Sequence, residues 1–132
     1  MIIISQPKLE VRENEVLVSS CIEDDKKHFR ETIFYKTSAT YRPYVVTEKA
    51  DLFVLSALMP ALFSQSDIRV EGTLSSDLKY ALENGLIYIL AKTYGVRPIK
   101  VHAERIETFE FGGKAVGAGC SMGVDSLATI KQ

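Results

Sequence analysis

The sequence predicts an α+β fold: an N-terminal antiparallel β-meander, two core helices, then a terminal strand, loop and helix start. Three observations carry that expectation. The first third alternates apolar and polar residues or is rich in β-branched ones, with charged clusters between the runs. Two later segments repeat apolar residues at helical spacing. From Ile99 the alternation returns, and it leads into a glycine-rich turn.

In chain order, Leu9 and Val11 alternate with Lys8, Glu10 and Arg12, and Val16 to Ile22 is a β-branched run. Glu13-Asn14-Glu15 between them reads as a tight turn. The charged run Glu23-Asp24-Asp25-Lys26-Lys27 reads as a second hairpin turn, feeding a strand in which Phe29, Ile33 and Tyr35 share a face. Asp24 and Asp25 have the chemistry of metal ligands or catalytic acids. Charged residues are also the rule at a solvated hairpin tip, which is the expected role here.

Ser38 to Pro43 is a connection. Thr47 is placed to cap a helix over about 48–63, with Glu48 and Asp51 in its first turn. Leu52, Phe53, Val54, Leu55, Leu58, Met59, Leu62 and Phe63 cover almost its whole circumference, which predicts burial on several sides. Pro60 predicts a kink. A short strand, 67–71, follows with Ile68 and Val70 inward, and then Gly72. Ser75 or Ser76 caps a second helix with Asp77 near its positive end. Its apolar face is Leu78, Ala81, Leu82, Leu86, Ile89 and Leu90, and Gly95 with Pro98 ends it. Ile99, Val101 and Ala103 then alternate with Lys100, His102 and Glu104. His102 is expected on a polar face, and His28 beside a charged turn. Neither has the spacing of a metal site.

The 132 residues are 46% hydrophobic and 25% charged, the composition of one globular domain. Sixteen basic residues against seventeen acidic ones give a net charge of −1, without the basic excess of a nucleic-acid binder. Cys21 and Cys120 lack partners at redox or metal spacing, which favours a reducing compartment. The N-terminal Met1-Ile2-Ile3-Ile4 run lacks the flanks of a signal peptide. The longest apolar run, 52–63, is shorter than the ~20 residues that a membrane span needs. A cytoplasmic protein with no membrane partner is expected.

The segment with chemistry in it lies at the end. Lys114 to Gly119 reads as a small-residue strand, and 125–131 begins a helical pattern with Leu127 and Ile130 inward. Between them stands Gly119-Cys120-Ser121-Met122-Gly123-Val124-Asp125-Ser126. Strand, glycine-rich turn and helix start together form a phosphate cradle: unpaired backbone N–H groups and the helix dipole favour an anion there. Hydroxyls of Ser121 and Ser126 add donors, and Asp125 suits a divalent cation or a helix cap. No Gly-Lys-Ser/Thr follows, so this is not a Walker loop. The weaker alternative for the turn is a plain connection with Ser121 as N-cap. Cys120 at the helix start is expected to be packing rather than a nucleophile.

Ser121-Met122-Gly123-Val124-Asp125-Ser126 resembles the PP-loop, Ser-Gly-Gly-x-Asp-Ser, of the ATP pyrophosphatase superfamily. The order of elements upstream, with Val70-Glu71-Gly72 after a short strand, looks like the leader region of bacterial PP-loop proteins related to queuosine-precursor synthases and asparagine-synthase-like ligases. The resemblance implies that Ser121, Gly123, Val124, Asp125 and Ser126 contact the phosphates of ATP, with magnesium held through Asp125, in an enzyme that adenylates a substrate and releases pyrophosphate. Met122 departs from the pattern, standing where the family has a glycine. The chain also ends at Gln132, six residues after Ser126, whereas a doubly wound domain needs further βα units. Residues 1–112 are therefore expected to be an α+β leader domain, and 113–132 the start of an incomplete α/β nucleotide-binding domain. The expected state is a truncated or degenerate copy, inactive alone, with ATP and magnesium bound only where a missing half completes the site. The alternative is a non-catalytic interaction or oligomerisation module that forms homo-oligomers through its sheet edge and apolar helices.

Overall fold

A computed structural model describes residues 1–26 and 28–110. The fold is α+β, as expected. One mixed sheet runs in space β4-β3-β1-β5-β6, with β2 also paired to β3. The strands are β1 (Ile2–Ser5), β2 (Lys8–Val11), β3 (Glu15–Asp24), β4 (Phe29–Ser38), β5 (Ile68–Ser75) and β6 (Val101–Glu107). The helices are α1 (Asp51–Ser64), α2 (Ser76–Ala81) and α3 (Ile87–Tyr94), with a π turn, Leu82–Leu86, joining the last two.

β2, β3 and β4 form the antiparallel meander read from the sequence, with β3 paired to β4 over all ten residues. β1 lies in line with β2 along the same edge of β3. Ile4 pairs with Ile22 but Lys8 pairs with Ser19, so the first strand advances four residues while β3 advances three. The extra residue is a β-bulge at Ser5-Gln6-Pro7. It puts Leu9 and Val11, though exposed, on the same face of the sheet as Ile2 and Ile4. Pro7 cannot donate to a ladder, which makes the break a natural place for it. Side chains repair the gap: Ser5 Oγ accepts from the Cys21 amide at 2.9 Å, and Ser20 Oγ donates to the Ser5 carbonyl at 2.8 Å.

The remaining strands are parallel. β5 pairs with β1, and β6 pairs with β5. The parallel connection from β5 to β6 is made through α2 and α3, as a parallel pair requires. Ile4, Ile68, Val70 and Val101 are fully buried under α1 and the second helical run, while the alternate residues Arg69, Glu71, His102 and Glu104 are exposed. All helices therefore pack on one face of the sheet.

Four local expectations change. First, β5 does not end at Glu71 but continues through Gly72 to Ser75, with a second bulge between Val70 and Thr73. Second, α1 starts at Asp51 without a side-chain cap. Thr47 is engaged elsewhere: its carbonyl accepts from Gln6 Nε2 at 2.7 Å and its amide donates to Glu48. Third, α1 buries Phe53, Val54, Ala57, Leu58, Ala61 and Leu62 but leaves Leu52, Leu55 and Phe63 exposed, because only one side of it meets the sheet. The helix is continuous through Pro60. Fourth, Leu86 and Ile89 face outward, and Ile87 and Ala91 take their place. The π turn inserts a residue and rotates everything beyond it by roughly 100°. The inward step from Leu82 to Ile87 is five residues, which a strict 3.6-residue reading misses.

The expected helix signals Ser75 and Gly95 hold. Ser75 Oγ accepts from the Leu78 amide at 3.2 Å, and Gly95 ends α3 in the left-handed conformation at φ 65°. His102 is exposed on β6, on the polar face expected for it.

Candidate functional site at the carboxyl ends of the parallel strands

β1, β5 and β6 all run the same way, so their carboxyl ends lie along one edge of the sheet. From β1 the chain goes to β2 and β3 on one side; from β5 it goes through α2 to β6 on the other. The gap between β1 and β5 is thus a topological switch point, the place where open α/β sheets take ligands.

The two bulges lie on the strands that flank this gap, one opposite β3 and one opposite β6, and one side chain spans it. Gln6 Oε1 accepts from the Thr73 amide at 3.0 Å, while Gln6 Nε2 reaches the Thr47 carbonyl. Gly72 makes room for it at φ 156°: a Cβ there would lie 2.0 Å from Gln6 Oε1. The amide replaces ladder bonds that the two bulges remove. It also ties the loop ahead of α1 to the sheet, and Ala50 N adds a bond to the Thr73 carbonyl at 2.9 Å.

Beside it, Asp51 joins two helix starts. Its carboxylate accepts from the Ser75 amide at 2.9 Å and from Ser75 Oγ at 2.6 Å. Ser75 Oγ in turn caps α2. Lys49 Nζ sits 3.5 Å from Asp51 Oδ2 and 4.6 Å from the centre of the Phe109 ring. Both charged side chains are mostly buried, so the pair neutralises itself where water is scarce. Arg105 Nε donates to Thr73 Oγ1 at 3.1 Å, and Ser76 and Thr108 hydroxyls meet at 3.2 Å. The chain therefore leaves β6 by turning back across these strand ends toward Lys49. A cavity of about 360 Å³ adjoins Lys49 and Asp51, walled by Tyr35, Tyr44, Val16, Val18 and Leu52.

Chemically the cluster holds positions. Its donors and acceptors pair with each other, and the Ser75 hydroxyl beside the Asp51 carboxylate is held by that bond and by the Leu78 amide as a helix cap. Among the described residues no group of three His, Cys, Asp or Glu side chains is placed to hold a metal. No described helix is long and apolar enough to cross a membrane. The residues expected to bind ATP, namely Ser121, Gly123, Val124, Asp125 and Ser126, lie outside the described residues, as do Cys120 and Met122. Sequence reasoning missed Gln6, Lys49, Asp51, Thr73 and Arg105 as a group. The available signals were Gln6 before Pro7, and Gly72 inside a strand-like run.

Asp24 also differs from expectation. Asp25 is exposed at the hairpin tip, but Asp24 is only 5% exposed. Lys26 Nζ donates to the Gln65 carbonyl at the end of α1, at 3.2 Å, and draws the hairpin base onto that helix.

No known family model matches the chain, and no curated protein matches it. The chain is similar to one in the crystal structure of Fowlpox virus resolvase with substrate Holliday junction DNA, at 16% identity and a TM-score of 0.24. The match covers 86% of this chain and 66% of that one, so this chain spans just under two thirds of the other's length. A TM-score of 0.24 is too low to transfer anything from that protein to this one.

Proposed function

We propose that residues 121–126 are the phosphate-binding loop of an ATP pyrophosphatase of the PP-loop type, and that the α+β domain before them is its leader. The observation that carries this is the string Ser121-Met122-Gly123-Val124-Asp125-Ser126 after a predicted strand and before a predicted helix. Backbone amides at 121–124 would take the phosphates, with the hydroxyls of Ser121 and Ser126 as further donors. Asp125 would hold magnesium on them. The geometry upstream supports the reading: the chain is directed back over the carboxyl ends of three parallel strands before it enters the segment that carries the motif. The reaction class is adenylation of an acceptor with release of pyrophosphate, in a reducing cytoplasm.

The test is calorimetric titration of the 132-residue chain with ATP and magnesium, beside a Ser121→Ala/Asp125→Ala double variant. Saturable binding at millimolar ATP that the double variant loses is the expected result. Equal heats from both proteins would sink the proposal, and no heat from the wild type would make the string a relic or a fragment, with any function of this chain in its N-terminal surfaces.

A second reading, a non-catalytic interaction module, is favoured by the exposed apolar residues Leu52, Leu55 and Phe63 on α1 and Phe34 on the outer strand. Self-association measured by sedimentation, in a chain that does not bind ATP, would select it.

A further inference from the structure

Away from the switch point, α1 and the β3–β4 hairpin enclose a groove of about 300 Å³. Ile2, Ile22, Phe29, Ile33, Ala57 and Pro60 make its walls apolar. At one end the Tyr35 hydroxyl meets Ser56 Oγ at 2.6 Å and separates this groove from the cavity beside Lys49. Ser56 Oγ gives its proton to the Leu52 carbonyl at 2.7 Å, so Tyr35 is the donor in that bridge.

Asp24 borders the same groove. One of its oxygens accepts from the Lys26 amide at 3.0 Å, which shapes the turn. Among the described residues no cationic group lies within salt-bridge distance of it. The Lys26 ammonium is bonded to the Gln65 carbonyl instead. The residue is 5% exposed, so apart from the Lys26 amide the neighbours of its carboxylate are the groove and its walls. The turn alone does not require the charge, since an asparagine makes the same bond.

We propose that this groove binds a small primary amine with an apolar body, its ammonium paired with Asp24 and its hydrocarbon part lying between α1 and β4. The volume suits a ligand about the size of one aromatic ring with a short arm. Charge complementarity selects an amine over an acid or a neutral molecule. The proposal uses none of the residues 121–126, so it survives or fails separately from the ATP reading.

The test uses benzylamine as probe on the 132-residue chain, followed by amide chemical shifts, with benzyl alcohol as the neutral analogue. The expected result is a saturable response confined to residues around Asp24, Ile33 and Ala57, with benzyl alcohol binding about tenfold or more weakly. Asp24→Asn should keep the native amide spectrum, because it retains the acceptor for Lys26, and should lose that preference for the amine. Its melting temperature should stay level, since the acceptor for the Lys26 amide is retained. A wild type that binds both probes alike, or neither, overturns the proposal. So does an Asp24→Asn protein that still prefers benzylamine, or one that melts lower than wild type.

Discussion

The antiparallel and parallel halves of this sheet are built from similar residues and held in different ways. β2, β3 and β4 follow one another through short turns, and each pairs with its sequence neighbour. Much of their apolar surface stays in water: Leu9, Val11, Phe29 and Phe34 are all exposed. The outer strand is blunted by charge, with Lys36 donating to Glu15 at 2.9 Å and Arg30 facing Glu23. That bond from Lys36 holds the Glu15 carboxyl below its ordinary range. β1, β5 and β6 come from the start, the middle and the end of the described chain, and their parallel partners are distant in sequence. Their inward residues Ile2, Ile4, Ile68, Val70 and Val101 are buried beneath helices, with Ala103 partly so. The first half is specified by turns and pattern. The second is specified by a core that exists only when α1 and α2–α3 are in place.

The largest expected effect tests that contrast directly. Phe53 is 1% exposed in the centre of α1, and Phe34 is 57% exposed on β4. Phe53→Ala should cost about 3–5 kcal/mol by urea unfolding, from lost burial and the cavity left behind. Phe34→Ala should stay within about 0.5 kcal/mol. Equal costs would mean that the antiparallel half is buried in solution, and would break the comparison.

A smaller effect is expected at the junction of the halves. Gly72→Ala places a methyl group against Gln6, whose side chain must leave its bonds to Thr73 and Thr47. The expected loss is about 2–3 kcal/mol from two broken hydrogen bonds and a strained backbone. A Gln6→Ala protein should then tolerate the alanine at 72 better than the wild type does, because the two changes share one contact. Additive losses would show that the Gln6 amide does not tie the halves together.

The smallest effect sharpens the account of the parallel half. Gly85 lies in the π turn, and an added Cβ meets nothing within 4 Å. Gly85→Ala should stabilise the protein by about 0.5–1 kcal/mol through helix propensity alone. A loss instead would mean that the π turn needs glycine to form.

Legibility in the sequence followed the same division. The meander, the Ser75 cap, the Gly95 stop and the inward face of β6 were readable, because each depends on residues within a few positions. β1 was not, since Ile2–Ser5 is four residues long and becomes a central strand only by pairing with β3 and β5. The second helix was read with the right ends, but Leu86 and Ile89 were placed on the face that Ile87 and Ala91 take, while Leu90 packs against the core as read. Its π turn has no local signature stronger than Gly85. Of the candidate sites, the loop at 121–126 is wholly a matter of sequence. The cluster at the switch point and the groove beside Asp24 have no sequence motif.

By itself the sequence determined the fold class, the turn chemistry that orders the meander, and the Ser121–Ser126 string on which the ATP proposal rests. These rest on backbone preferences and on periodicities of 2 and 3.6, which act over short spans of chain. Only the tertiary structure decided that two bulges meet where Gln6 bridges them, that α1 buries one side rather than all, and that Asp24 is enclosed rather than solvated. Those outcomes depend on which distant surfaces close on one another, and burial, unlike propensity, is a property of the pair.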